Sequence, residues 1–336
     1  MRIQRYLDKE TWRKFVFDHP QGNIFHTVEM FEIFEKTKGH KPSVWAAVEG
    51  EDRVLALLLP VEIVLYNHLR RFSSRSIVFG GVLWEQSNEG CKGLNLLLDK
   101  FKKETRSHHL FTELRNISQT TAVQDVLHQN KFFYEDHLNY LINLDCTPDE
   151  VMQNFRKRTR KHISRGLRKG KVNVEFIQDR DRLYDCYDLI EKTYQYAQIP
   201  IADVSMFEAA FDVLAPKDMV HFVLATVDDV PVATSVELLY KDTIYGWYSG
   251  MDRNYSSFTP NELLMWHILS WGAENDYKVY DFGGAGKPDE DYGVRDFKAK
   301  FGGELVNFGR NKHIPSPVFY KFAEFGYEIA RRILLS

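Results

Sequence analysis

Apolar and polar positions run through one series of periodicities twice along the chain. Residues 44–49 form a short apolar run with β-branched and aromatic members, the turn Gly50-Glu51-Asp52 closes it, and 54–65 is a second run, so the pair predicts a β-hairpin. Residues 77–83 predict a third strand, with a bulge at Gly80-Gly81. From 94 to 105 the spacing turns helical, with Leu94, Leu97, Leu98, Phe101 and Lys102 in register, and 110–114 returns to strand. The later series opens with a strand at 221–227, the turn Asp228-Asp229, and strands at 232–240 and 243–250. A helix over 261–275 follows, with a broad apolar face of Leu264, Trp266, Ile268, Leu269 and Trp271, and then a strand at 278–282. The shared order of hairpin, strand, helix and strand predicts two copies of one α/β unit of about 150 residues. The expected boundaries are 1–145 and 146–315, with a closing amphipathic helix in 316–336 built on Val318, Phe322, Phe325, Ile329 and Ile333.

Between the copies, Thr147 is a candidate helix cap, with Pro148 at the first position and Glu150 at the third. The pattern predicts one helix through 149–170, its apolar stripe formed by Met152, Phe155, Thr159, His162, Ile163 and Leu167. Charge makes this helix unusual. The whole chain is nearly balanced at a net −3, yet 156–171 holds nine basic residues and no acid, leaving 35 basic against 47 acidic side chains elsewhere. Like charges so concentrated repel one another unless an anion is near. Arg156, Arg160 and Lys161 are therefore candidates for contact with phosphates or an anionic surface; the alternative is a solvated face.

A hydrophobic fraction of 44% and a charged fraction of 27% fit a globular chain, and 336 residues fit two domains. Three cysteines without a CxxC argue against a disulfide framework and a cysteine zinc site, and suit a reducing compartment. The N-terminus lacks the apolar core of a signal peptide. The most apolar run, 55–65, contains Pro60 and Glu62 and falls short of the ~20 residues of a membrane span. The expected location is cytoplasmic.

The candidate chemistry gathers late in the chain. Residues 281–287, DFGGAGK, follow a strand, but Pro288 stands where a P-loop needs Ser or Thr, and a third spaced glycine for a dinucleotide site is missing. A glycine turn at a strand end and a substrate-shaping loop both remain open. Twelve histidines offer no HExxH and no paired ligand spacing, so no metal is expected, and there is no G-x-S-x-G elbow. Residues 245–250, YGWYSG, set Tyr245, Trp247 and Tyr248 among small residues on one strand. Asp281 ends the next predicted strand, and FKAKFG at 297–302 places Lys298 beside Phe297.

These pieces, in this order, resemble the FemABX family and the wider FemAB-like set. The similarity begins at GNIFHTVEMF (22–31) and runs through the basic helix (155–175) and PVATSVELLYKDTIYGWYSGMD (231–252). It is strongest over TPNELLMWHILSWGAENDYKVYDFGG (259–284) and ends at VRDFKAKFGG (294–303). The resemblance implies an α/β fold of tandem GNAT-like (acyl-CoA N-acyltransferase) domains with mixed central sheets, the C-terminal helix packing back on the first domain. It also implies an aminoacyltransferase that extends peptidoglycan bridge peptides. Residue by residue, Tyr248 matches a substrate-pocket tyrosine, Phe297 and Lys298 the Phe-Lys pair at the reacting centre, and Asp281 the aspartate of a Tyr-Asp-x-Gly-Gly turn. Two features depart from the pattern. The stretch TYQYAQIP (193–200) lacks the arginine that holds a nucleotide-sugar diphosphate in better-known members, and the long helical-hairpin insertion is missing.

The implied reaction is N-acyl transfer. An amine attacks an activated acyl ester, and the tetrahedral oxyanion needs positive charge or N–H donors. Lys298 supplies the charge, backbone amides near Tyr248-Ser249 supply donors if a bulge splays the strand, and Asp281 either accepts the amine's proton or caps the turn. The expected donor is aminoacyl-tRNA, with no tightly bound cofactor. Acyl-CoA and acyl-carrier protein are the alternatives, although 253–260 lacks the glycines of a pyrophosphate loop at a helix N-terminus. The expected partners are tRNA and an anionic membrane surface or lipid-linked acceptor. A non-catalytic RNA or anionic-surface module would use the basic helix and leave Tyr248 and Lys298 unexplained.

Overall fold

The computed structural model describes residues 1–50, 52–64, 74–106 and 108–323. Leu65 of the second predicted strand and 324–336 of the closing helix, with Phe325, Ile329 and Ile333, lie outside the described residues. The chain forms two compact units, one of residues 1–136 together with the segment from Phe308 onward, the other His137–Asn307.

In the first unit the hairpin Trp45–Glu49 and Arg53–Leu58 lies in a four-stranded sheet between Arg2–Gln4 and Leu83–Trp84. The chain bends at Pro60 and enters a second sheet, in which His40–Pro42, Val61–Val64, Ser74–Gly80, Thr112–Asn116, Arg310–His313 and Phe133–Glu135 are neighbours in that order. Helix Asn88–Thr105, capped by Ser87, buries Leu94, Leu97, Leu98 and Phe101, and its Gly93 lets the helix approach Leu55 closely. The bulge expected at Gly80-Gly81 is instead a break. Both glycines take positive φ, +77° and +81°, the strand ends there, and Leu83–Trp84 joins the other sheet.

The second unit has one seven-stranded sheet. Its order is Val172–Phe176, Val220–Val227, Val230–Tyr240, Thr243–Met251, Val279–Gly284, Leu138–Asn143 and Glu304–Asn307, with only the pair Thr243–Met251 and Val279–Gly284 parallel. Helix Pro260–Glu274 buries Leu263, Leu264, Met265, Ile268 and Leu269, with Trp266 and Trp271 half-buried at its margins.

Three expectations are corrected. The division falls at 136/137 and 307/308 rather than 145/146 and 315/316. Leu138–Asn143 is a central strand of the second unit, and Arg310–His313 returns to pair with Thr112–Asn116 in the first. The single basic helix is two helices, Pro148–Asn154 and Lys157–Lys169. Phe155 turns extended to bury its ring against Trp266 and Phe301, and the Arg156 N–H leaves the helix to donate to the Lys300 carbonyl at 2.9 Å. The cap is as read: Thr147 and Glu150 bond each other's backbone reciprocally. Finally, Asp281 does not end its strand, which continues through Gly283 and Gly284 because Leu138–Asn143 pairs along it. The residues at 317–323 are helical, and Tyr320 sits on Phe111 of the first unit and accepts a hydrogen bond from Lys312 at 2.8 Å.

Candidate active site

The parallel strands of the second unit are paired only at Thr243, Ile244 and Tyr245, opposite Val279, Tyr280 and Asp281. Both continue beyond this point without pairing to each other, so a wedge opens after Tyr245 and Asp281. Its far wall stays rigid, because Val279–Gly284 remains paired with Leu138–Asn143. Its near wall carries a bulge: Val236 faces Tyr248 and Glu237 faces Gly246, leaving Trp247 as the extra residue. The condition set for the amides near Tyr248-Ser249 was a bulge that splays the strand, and the irregularity lies one residue before Tyr248.

Asp281 is buried at the mouth of the wedge. Its Oδ1 accepts the Gly283 N–H at 2.7 Å, and the Asn139 amide donates to both carboxylate oxygens at 3.2 and 3.3 Å. Burial pushes its carboxyl up to about 6, against the pull of these donors and of the Lys298 charge. It thus caps the local backbone and also titrates in a range useful for moving a proton.

Lys298, the last residue of helix Gly293–Lys298, is buried rather than a surface side chain. Its Nζ donates to the carbonyls of Phe282 at 2.6 Å, Gly284 at 2.8 Å and Gly283 at 3.3 Å. An ammonium has three donors, and all three are engaged. Burial brings its pKa down to about 8, with Asp281 holding it up. One helical turn earlier, Arg295 donates to the carbonyls of Ala285 at 2.8 Å, Pro288 at 3.2 Å and Lys287. Two cations from one helix face therefore grip the carbonyls of 282–288. A phosphate cradle needs the opposite polarity, with N–H groups turned to the ligand. The glycine loop is a clamped wall of the wedge.

Tyr248 packs on Phe207, Tyr194 and Trp247 with ring centroids at 4.9, 5.6 and 5.1 Å, and Trp247 also meets Phe207 at 6.1 Å. Tyr194 belongs to the stretch 193–200, so that segment lines the same strand, and its Thr193 hydroxyl accepts the Met251 N–H at 3.0 Å. Tyr245 leans over Gly283: a Cβ there would lie 3.0 Å from the tyrosine hydroxyl. Phe297 is placed differently. Its half-buried ring packs on Phe301 at 5.2 Å, against the unit's hydrophobic core. The neighbouring Lys300 pairs with Glu262 at 3.4 Å.

Arg156 and Lys161 are exposed and Arg160 is half-buried, its guanidinium donating to the Gln153 carbonyl at 2.8 Å. None of the nine basic side chains in 156–171 makes an ion pair among the described residues. Helix Lys157–Lys169 packs on Pro260–Glu274, where Gly166 admits Leu263. The stretch 253–260 forms a 3-10 helix and then Pro260 at the helix start, and the first turn carries Glu262. Pro260 removes an N–H and Glu262 adds negative charge, so this N-terminus is poorly suited to pyrophosphate.

Sequence reasoning missed Asn139, Arg295 and Glu237. Arg295 stands three residues before Lys298, a spacing that puts both on one helix face and was legible. Asn139 is brought in by a strand 142 residues away in sequence, a pairing no local pattern reveals. Among the described residues no group of three or more His, Cys, Asp or Glu is placed to hold a metal ion, and no helix is long and apolar enough to cross a membrane.

Comparison with known proteins bears on the fold. The acetyltransferase (GNAT) domain family matches residues 153–298. A lipid II:glycine glycyltransferase of Staphylococcus aureus is 20% identical over 397 residues, covering 92% of each chain. Among solved structures, that of FemX has a TM-score of 0.74 at 16% identity and covers 96% of this chain and 100% of its own. A tandem GNAT protein from the clavulanic acid biosynthesis pathway has a TM-score of 0.59 at 9% identity, covering 94% and 99%. With the α/β unit built twice, the chain has a tandem GNAT fold and is similar to the FemABX-like family of acyltransferases.

Proposed function

We propose that the protein transfers an aminoacyl group from aminoacyl-tRNA to an amine of a lipid-linked peptidoglycan precursor, working in the cytoplasm at the membrane surface. The reaction centre is the wedge of the second unit. The observation that carries this reading is the buried pair of Asp281 and Lys298 at the point where the two parallel strands separate. The similarity to a lipid II:glycine glycyltransferase supports the acceptor class.

Asp281 takes the proton of the attacking amine, the Lys298 charge stabilises the oxyanion, and collapse of the tetrahedral adduct breaks the acyl C–O bond and releases the tRNA ribose hydroxyl, protonated from Asp281. The longest of the three lysine bonds, to Gly283 at 3.3 Å, is the one an oxyanion displaces. Tyr248, with Trp247 and Tyr245, lines the pocket for the acyl group. Phe297 supports the lysine's helix from the core side. The basic helix, through Arg156, Arg160 and Lys161, meets phosphates of the donor or of anionic lipid.

The purified protein, given lipid II and in turn glycyl-tRNA, acetyl-CoA and an acyl-carrier thioester, tests the reading. Product is expected with the tRNA ester. Transfer from acetyl-CoA or the carrier alone would replace it with the corresponding acyltransferase.

A further inference from the structure

Glu237 lies in the longest strand of the second unit, Val230–Tyr240, and only 1% of it is exposed. Ser235, two residues earlier on the same face, donates to Glu237 Oε1, and its Oγ is also 3.3 Å from the Tyr248 carbonyl oxygen. This side-chain relay starts beneath the Trp247 bulge and ends on the backbone of Tyr248, where the strand edge has lost its parallel partner. Gly246 makes room for it. A Cβ there would lie 2.6 Å from the Tyr280 hydroxyl and 3.6 Å from Glu237 Oε2.

A serine hydroxyl has one proton, and here it meets two acceptors. Both contacts are hydrogen bonds at once only when Glu237 is protonated. Its O–H then donates to Ser235 Oγ, and Ser235 donates to the Tyr248 carbonyl. When Glu237 ionises, Ser235 turns its proton to the carboxylate, the stronger acceptor, and the Tyr248 carbonyl loses its side-chain partner.

We propose that Glu237, relayed by Ser235, is a positioning residue that sets the backbone of the Trp247 bulge, and with it the amides of the open strand edge, for acyl transfer. The proposal rests on the reaction centre assigned above. Burial pushes the Glu237 carboxyl up to about 7, with Ser235 and Tyr280 pulling it back. The titratable groups around it are Tyr280, which reaches across Gly246 from Val279–Gly284, His221 directly opposite on Val220–Val227, and His267 on helix Pro260–Glu274, which packs on this strand. Burial raises the tyrosine and lowers both imidazoles, so none of the three supplies a charge near pH 7.

Two measurements on the full chain test this, each with wild type, Glu237→Gln and Ser235→Ala. The first is amide hydrogen-exchange protection of Trp247–Ser249 at pH 6 and pH 8, which needs no substrate. Protection is expected to fall with pH in wild type, to hold in Glu237→Gln, whose amide donates permanently to Ser235, and to be low at both pH values in Ser235→Ala. The second is kcat with glycyl-tRNA and lipid II. It is expected to fall about tenfold between pH 6 and 8 in wild type relative to Glu237→Gln, as one titrating group requires. Identical protection in all three proteins would overturn the proposal, as would a wild-type pH profile that Glu237→Gln does not change. Absence of turnover in every protein, with the protection pattern as expected, would sink the assigned reaction and leave the relay standing.

Discussion

The two units build the same parallel strand pair and treat its end in opposite ways. In the first, Ser74–Gly80 stays zipped to Thr112–Asn116 over five residue pairs, up to Gly80 opposite Asn116. The position after the strands is filled: Asn23 bonds the Gly80 carbonyl, His26 meets the Gly81 carbonyl at 3.2 Å, and a Cβ on Gly80 would strike the Asn23 amide at 2.5 Å. In the second unit pairing stops after three residues, and a buried aspartate and lysine sit at the opening. A half-buried glutamate of the first unit and the buried Glu237 of the second differ in the same sense. Burial would raise Glu113 of the first unit, but Arg115, Arg310 and Lys312 hold it below the usual range. Glu237 has no such cation and is pushed up. The first copy closes the wedge and ion-pairs its glutamate; the second keeps an open edge and an acid that faces no cation, features in which functional sites are rich.

The largest expected effect is that of Lys298→Met. It removes the charge at the wedge and leaves three buried carbonyls without their donor. Turnover with glycyl-tRNA and lipid II should fall on the order of 100- to 1000-fold, and the melting temperature should also drop. Asn116→Ala, at the closed position of the first unit, should lower stability and leave kcat in place. Equal loss of kcat from both would erase the division of labour.

The glycines sharpen the same contrast. Gly283→Ala forces a positive φ of +69° on alanine, costing about 1–2 kcal/mol, and crowds Tyr245. Its kcat should fall at least tenfold beyond any stability loss, since it reshapes the clamped wall. Gly80→Ala, at +77°, should depress the melting temperature with kcat unchanged in the surviving folded protein. Steady-state kinetics and thermal unfolding of both variants decide it.

Stability against pH separates the two glutamates. Glu237 has a raised pKa, so its stabilising contribution is complete below about 4.5 and is lost as pH rises through about 7. Glu237→Gln should abolish a decline on the order of 3 kcal/mol in urea-unfolding free energy over that interval. Glu113 has a lowered pKa, so its contribution is present above 4.5 and is lost as pH falls through the depressed value. Glu113→Gln should therefore weaken the protein at neutral pH and flatten only the acid limb.

The smallest effect is expected from the exposed basic helix. Reversing Arg156, Arg160 and Lys161 to glutamate should leave melting nearly unchanged, weaken tRNA or anionic-vesicle binding, and reduce the salt dependence of that binding. Binding indifferent to both salt and substitution would leave only a solvated face.

The sequence by itself determined the repeated α/β order, the helix faces around Leu94–Phe101 and Leu264–Leu269, and the Thr147 cap. These are matters of local periodicity and composition, which one segment carries alone. Tertiary structure decided the rest. Phe155 broke a helix because its burial against Trp266 and Phe301 outweighed continued helical bonding. The unit boundaries moved because strands 138–143 and 310–313 found partners far along the chain. Lys298 and Arg295 became a clamp, Asn139 met Asp281 and Glu237 met Ser235 only when burial removed water and left each polar group to find its partner within the fold.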